Sequence, residues 1–296
     1  NVLVRTNPLV EITNIIPYKK YEPFKKSNLI DIMNIPSNVN VMSTPIVYLP
    51  FDKSIYNLGD KHYKRVERII ESRQITFDFV HSHFTWSAGH VGAKIKEKYK
   101  KPFIITAHGF DIYHLPFKNI KWRTKIEDVL NKADRIITVS QSNYSFLQKL
   151  DVTTPVEIIP NGYRRDLFHP RDQTECRKLL GLPLDKKIIL TVGNLVEIKG
   201  HKHLIDAIKT ITSIQQNIMC VIIGSGQLMG NLKRQIRSLG LEQHVLLVGG
   251  KTHNEIPIWI SACDVFVLSS LNEGNPTVMF EALGCGKPFI GTRVGG

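Results

Sequence analysis

Short runs of Ile, Val and Leu, six to eight residues long, return along this 296-residue chain with helix-like stretches between them, and no other feature narrows the fold as much. In the first half they are DFVHSH (78–83), PFIITA (102–107) and DRIITVS (134–140), accompanied by SAGHVGAKIKEKYKK (87–101) and QSNYSFLQKL (141–150). The runs lack the apolar–polar alternation of a strand with one wet face, so they read as parallel strands covered on both sides. An α/β fold with doubly wound sheets follows. The pattern breaks at IPNGYRRDLFHP (159–170), where Pro, Asn-Gly and a charged trio intervene, and then restarts as KIILTVG, MCVIIGSG, HVLLVGG, DVFVLSS and KPFIGT. We therefore expect two domains, 1–160 and 161–296, which also suits the length.

With 42% hydrophobic and 22% charged residues the composition is globular, and no run of about eighteen apolar residues suggests a membrane span. The first residues, NVLVRTNPLV, carry neither an initiator methionine nor a signal-peptide pattern. The last two, Gly295 and Gly296, follow an apparent strand where an α/β domain is expected to continue, so the sequence reads as a fragment cut at both ends. Cys176, Cys220, Cys263 and Cys285 lie far apart in apolar context, as expected of buried free thiols in the reducing cytoplasm. The net charge is +13, from 23 basic against 15 acidic side chains through Pro160 and 16 against 11 beyond it. A basic surface implies anionic company: nucleic acid, a membrane leaflet or phosphorylated small molecules. The lysines from Lys94 to Lys101 read first as a solvated helix face and second as a contact with the inner face of a membrane.

Every strand-like run of the second half ends in Gly, Ser or Thr, and open α/β sheets bind ligands at the carboxyl ends of their strands. Near that edge stands NEGNPTVMFEALGCGKPFIGTRVGG, with seven residues between Glu273 and Glu281. Asn275 suits an N-cap and Pro276 the first helical position, which leaves the amides of Thr277 and Val278 for a phosphate. Carboxylates on either side suit the vicinal hydroxyls of a sugar or ribose, ahead of the alternative of a capped helix with two solvated glutamates. VGNLVEIKG puts Lys199 at a helix start, as a phosphate ligand or an ordinary surface lysine. IGSGQLMG offers a close backbone approach at Gly224 and Gly226, or simply a tight turn, and its spacing misses the dinucleotide fingerprint. His108 closes FIITA at the carboxyl edge, as a site imidazole or a loop hydrogen-bonder. His81 and His83 share a strand face without a third ligand, so no metal is expected.

Together these segments resemble the retaining glycosyltransferases of family 4, which have the GT-B fold of two facing Rossmann-like domains. The Glu, seven residues, Glu pattern is the most specific element; GNLVEIKG, IGSG, VGG (248–250), IPNG and TAHG support it. The resemblance implies that the second domain binds a nucleotide-diphosphate sugar and the first an acceptor, a glycan or a lipid-linked glycan of the cell envelope. It makes Glu273 a ligand of the donor sugar, Glu281 a ligand of the ribose, and Lys199 with the amides after Pro276 the ligands of the diphosphate. His108 is implied near the transferred sugar. It also implies that the opening strand of the first domain and the end of the second are missing. No enzymic nucleophile, cofactor or metal is implied, and no Asp-x-Asp occurs. Asn194 stands where the family usually has arginine, and Lys251 or Arg293 could compensate for that charge.

Three rivals share parts of these observations. A catalytically silent nucleotide-sugar binding protein has the same fold, and only Glu273, Glu281 and Lys199 speak against it. A dinucleotide oxidoreductase would show Gly-x-Gly-x-x-Gly after a first strand, and neither half does. A nucleic-acid binder accounts for the charge, but no aromatic and basic platform accompanies it.

Overall fold

The computed structural model describes residues 9–17, 39–48 and 55–295. They divide into two compact units, one before Ile159 and one from Ile159 onward, with the short segment Val139–Asn143 counted with the second. In the first unit β1 (Leu9–Pro17) and β2 (Asn40–Tyr48) pair in parallel as a sheet of two, followed by α1 (Leu58–Ser72). A four-stranded parallel sheet has the order β3 (Val80–His83), β4 (Phe103–Ala107), β5 (Arg135–Thr138), β6 (Val156–Ile158). Its longer helices are α2 (His90–Tyr99), α3 (Ile120–Lys132) and α4 (Gln141–Leu147).

Helix α3 starts where the Asn119 side chain accepts the Trp122 amide at 3.0 Å. Helical spacing then brings Trp122, Ile126, Val129 and Leu130 to one buried face, where Ile126, Val129 and Leu130 pack with Phe103, Ile105 and Ile136 of the sheet. The helix expected over 87–101 runs as His90–Tyr99, led in by a π-type turn Thr85–Gly89 whose one non-helical residue is Trp86 (φ −139°, ψ 134°), and the Trp86 indole Nε1 donates to the Ile55 carbonyl at 3.1 Å.

The second unit is a five-stranded parallel sheet in the order β11 (Phe289–Gly291), β10 (Val265–Leu268), β7 (Lys187–Val192), β8 (Ile218–Ile223), β9 (Val245–Gly249). Its helices are α5 (Gln173–Leu180), α6 (His201–Thr212), α7 (Met229–Ser238), α8 (Ile256–Ala262) and α9 (Thr277–Gly284). Strand β8 shows why the apolar runs have no alternation: Val221 and Ile223 enter one core with Ile188, Ile260 and Phe266, while Cys220 and Ile222 enter another with Ile205, Ile208 and Leu232. All four cysteines are buried and free. Among the described residues no helix is long and apolar enough to cross a membrane.

One device recurs in both units. Asp134 precedes β5, and its backbone N–H donates to the Phe103 carbonyl while its carboxylate accepts the Phe103 amide, both at 2.8 Å. Asp264 does the same before β10, donating to the Ile188 carbonyl at 2.9 Å and accepting the Ile188 amide at 2.6 Å. A cation from the preceding helix layer steadies each carboxylate: Lys96 Nζ at 2.8 Å from Asp134, and Arg177 Nη2 at 2.7 Å from Asp264. Arg177 is nearly inaccessible and also donates to the carbonyls of Ala262, Leu184 and Lys186.

Asp264→Ala strands that buried guanidinium and should cost about 3 kcal/mol in urea unfolding. Asp134→Ala frees a half-exposed lysine and should cost about 1 kcal/mol. Equal losses would show that burial of the cation plays no part.

Candidate functional site

In the second unit the loops after β7 and β10 are joined backbone to backbone. The Leu271 amide donates to the Ile198 carbonyl at 2.7 Å, and Ser269 Oγ donates to the carbonyls of Lys199 and Gly200 at 3.2 and 3.1 Å. Gly200 has φ +62°, and a Cβ there would stand 2.0 Å from the Ser269 carbonyl oxygen, so only glycine fits. This junction brings Lys199 Nζ to 2.7 Å from Glu273 Oε1, joining a motif residue from each loop. Ser270 Oγ donates to the same carboxylate oxygen at 2.6 Å. Behind Glu273 runs Gly295, at φ +78°, where a Cβ would meet the Glu273 carbonyl oxygen at 2.1 Å.

Helix α9 starts one residue later than the sequence suggests. Pro276 occupies the cap position (φ −73°, ψ 105°), and the expected N-cap, Asn275, makes no capping bond. Proline disfavours helical geometry in the residue before it, which shifts the chain's entry. The Asn275 carbonyl instead accepts Asn161 Nδ2 at 3.0 Å, and its buried Oδ1 has no partner. The amides of Thr277 and Val278 have no backbone partner among the described residues, while Met279 turns back to the Pro276 carbonyl at 3.0 Å. One turn on, Glu281 is buried at 7% exposure, its carboxyl makes no hydrogen bond among the described residues, and burial pushes its pKa up to about 7. A carboxyl in that state has its acceptor capacity in reserve.

The glycines of IGSG answer to the protein's own backbone. A Cβ on Gly224 would lie 1.9 Å from the Gly193 carbonyl oxygen, and one on Gly226 would lie 2.5 Å from that of Leu195. They let the β8 turn press against the β7 loop, so the tight turn accounts for both. The exposed Asn194 accepts His201 Nε2–H through its carbonyl at 3.2 Å and makes no side-chain bond among the described residues. Lys251 lies 3.5 Å from Glu255, and Arg293 is exposed and makes no ion pair among the described residues.

In the first unit β3 and β4 line up three imidazoles at their carboxyl end. His83 Nδ1 and His108 Nε2 share a hydrogen bond of 2.8 Å, and His81 Nε2 bonds Thr106 Oγ1 at 2.8 Å. Burial, then neighbouring imidazole charge, lowers His81 and His108 to about 4, so all three are neutral at pH 7. His108 joins the pair at 81 and 83 as a third histidine, yet no group of three metal-ligating side chains is assembled among the described residues. Asp111 fixes this corner, its carboxylate accepting the amides of Thr85, His108 and Gly109.

Sequence reasoning missed Ser270 and the His83–His108 bond. The first left only the unremarkable pair Ser269-Ser270 before LNEG; the second depends on strand order, which puts His83 beside Thr106. The lysines of 94–101 are largely spent internally: Lys94 pairs with Glu97, Lys96 with Asp134, and Lys98 with Glu67 and Glu71.

Residues 24–167 match the family model described as Glycosyltransferase Family 4, and residues 172–296 match Glycosyl transferases group 1. The glycosyltransferase MJ1178 of Methanocaldococcus jannaschii is 31% identical over 283 residues, covering 96% of this chain and 71% of that protein. TuaC of Bacillus subtilis (strain 168), named for teichuronic acid biosynthesis, is 29% identical over 258 residues, 84% of this chain and 63% of TuaC. This chain thus spans somewhat less than two thirds of that relative. Anabaena Alr3699/HepE, solved in complex with UDP-glucose, superposes with a TM-score of 0.67 at 22% identity, over 85% of this chain and 68% of that one.

The lifted carboxyl of Glu281 has a stability signature. Between its ordinary 4.5 and about 7 the folded chain holds a proton that the unfolded chain has released, so this group's contribution to stability falls as pH rises through that window. Glu281→Gln removes the dependence, and its gain in urea midpoint over the parent should be larger at about pH 8 than at about pH 5. A pH-independent difference would overturn the buried, unpartnered state of this carboxyl.

Proposed function

The chain belongs to glycosyltransferase family 4 and has the GT-B fold, and on that premise we propose that it transfers a sugar from a nucleotide-diphosphate sugar to an acceptor hydroxyl with retention of configuration. One observation carries the reading: at the edge of the second sheet Glu273 and Lys199 meet beside a helix whose first amides are open and whose next turn holds the unpartnered Glu281. Lys199 and the amides of Thr277 and Val278 take the diphosphate, Glu281 accepts the ribose hydroxyls, and Glu273 accepts a hydroxyl of the donor sugar. The anomeric carbon–oxygen bond to the diphosphate breaks as the acceptor oxygen attacks from the same face. The acceptor's proton passes to a diphosphate oxygen. The protein's contribution is to stabilise the charge growing on the leaving group, with lysine and amides in place of a metal.

In the first unit the neutral His108 is assigned, on the family resemblance, near the transferred sugar. The acceptor is a glycan or lipid-linked glycan of the cell envelope, in keeping with the name of TuaC. Asn194, uncharged and exposed, favours one second reading, a silent nucleotide-sugar binder.

Calorimetry and a turnover assay separate the two. Across UDP-, GDP- and ADP-sugars one nucleotide should bind, and Glu281→Ala should weaken the free nucleoside diphosphate about tenfold or more. Glu273→Ala should leave that binding within about twofold and cut turnover about 100-fold. Binding without turnover in the parent selects the silent binder. Transfer should persist in EDTA; its loss, with recovery on adding magnesium or manganese, would overturn the metal-free mechanism.

A further inference from the structure

The proposed reading needs Glu273 to face a sugar hydroxyl at the moment Lys199 is drawn to the diphosphate. In the structure both Lys199 Nζ and Ser270 Oγ bond one oxygen, Oε1, at 2.7 and 2.6 Å, and Oε2 makes no bond among the described residues. When a phosphate takes the ammonium, Glu273 loses its ionic hold, and an unrestrained carboxylate would swing after the lysine. Ser270 is placed to prevent this. It is completely buried, its carbonyl accepts the Thr292 hydroxyl, and the following amide, that of Leu271, is fastened to Ile198. A neutral hydroxyl held so firmly does not follow a phosphate.

Resting on that reading of Glu273, we infer that Ser270 is a positioning residue: it keeps Oε1 fixed after Lys199 leaves, so that Oε2 stays turned toward the donor sugar. The assignment differs from a packing role, because all of its effect must pass through the Glu273 carboxylate.

The test is a double-mutant cycle on the parent, Ser270→Ala, Glu273→Ala and the pair. The probe is the tightest-binding nucleotide sugar among UDP-, GDP- and ADP-glucose, read as release of the nucleoside diphosphate. Ser270→Ala should lower kcat/KM about 10- to 100-fold while leaving the affinity for the free nucleoside diphosphate unchanged, and should add nothing to Glu273→Ala. Ser270→Cys, similar in size but a weaker donor, should fall between parent and alanine, which separates lost bonding from a lost fold. An impaired Glu273→Ala beside a fully active Ser270→Ala overturns this inference alone. A further loss of about tenfold in the pair makes Ser270 merely structural and overturns it as well. Parental turnover in Glu273→Ala overturns the donor reading beneath it.

Discussion

The arrangement depends first on how neighbouring strands are pinned at their amino ends. Asp134 and Asp264 each close a reciprocal pair of bonds with a residue at the start of the adjacent strand, Phe103 or Ile188. In a parallel sheet a slip of one residue exchanges the two faces. With both faces buried, such a slip would also carry the loops at the far end out of place. The carboxylates therefore set, from the strand starts, where Lys199 and Ser269–Glu273 emerge at the strand ends. The same solution serves both units, with a lysine as the counter-ion in one and a buried arginine in the other.

At the strand ends rigidity comes from backbone crowding. Gly200 lies against Ser269, Gly224 against Gly193, Gly226 against Leu195 and Gly295 against Glu273, each too close for a Cβ. Loops seated this way have little freedom left, so less ordering would be needed for a ligand to bind at this edge. The glutamate, the lysine and the serine that join at this edge are held on elements the fold itself fixes.

Most of the parallel-strand frame was legible in the sequence, because a strand such as β8 that feeds two cores must be apolar at every position. Strands β1, β2 and β6 were not read, and neither was α3, whose apolar face lies among charged neighbours that resemble a solvated surface. The motif residues Glu273, Lys199 and Glu281 were legible as chemical types at suggestive spacing. Their relations were not: a sequence does not say that Lys199 and Glu273 form an ion pair, that Asn275 yields the cap to Pro276, or that Gly224 and Gly226 face protein backbone. Lys96 and Lys98 look solvated along the chain because their acidic partners lie on α1 and ahead of β5.

Glu281 has one more consequence. Burial pushes the Glu281 carboxyl up to about 7, whereas the role proposed for it, accepting two hydroxyls, favours the ionised form. If Glu281 takes the ribose as proposed, ligand entry and proton departure are coupled, and the nucleoside end of the donor would be captured more tightly as the surroundings become alkaline. On the proposed reading the site would acquire a sensitivity to acidity through Glu281, and more acidic surroundings would weaken capture of the donor.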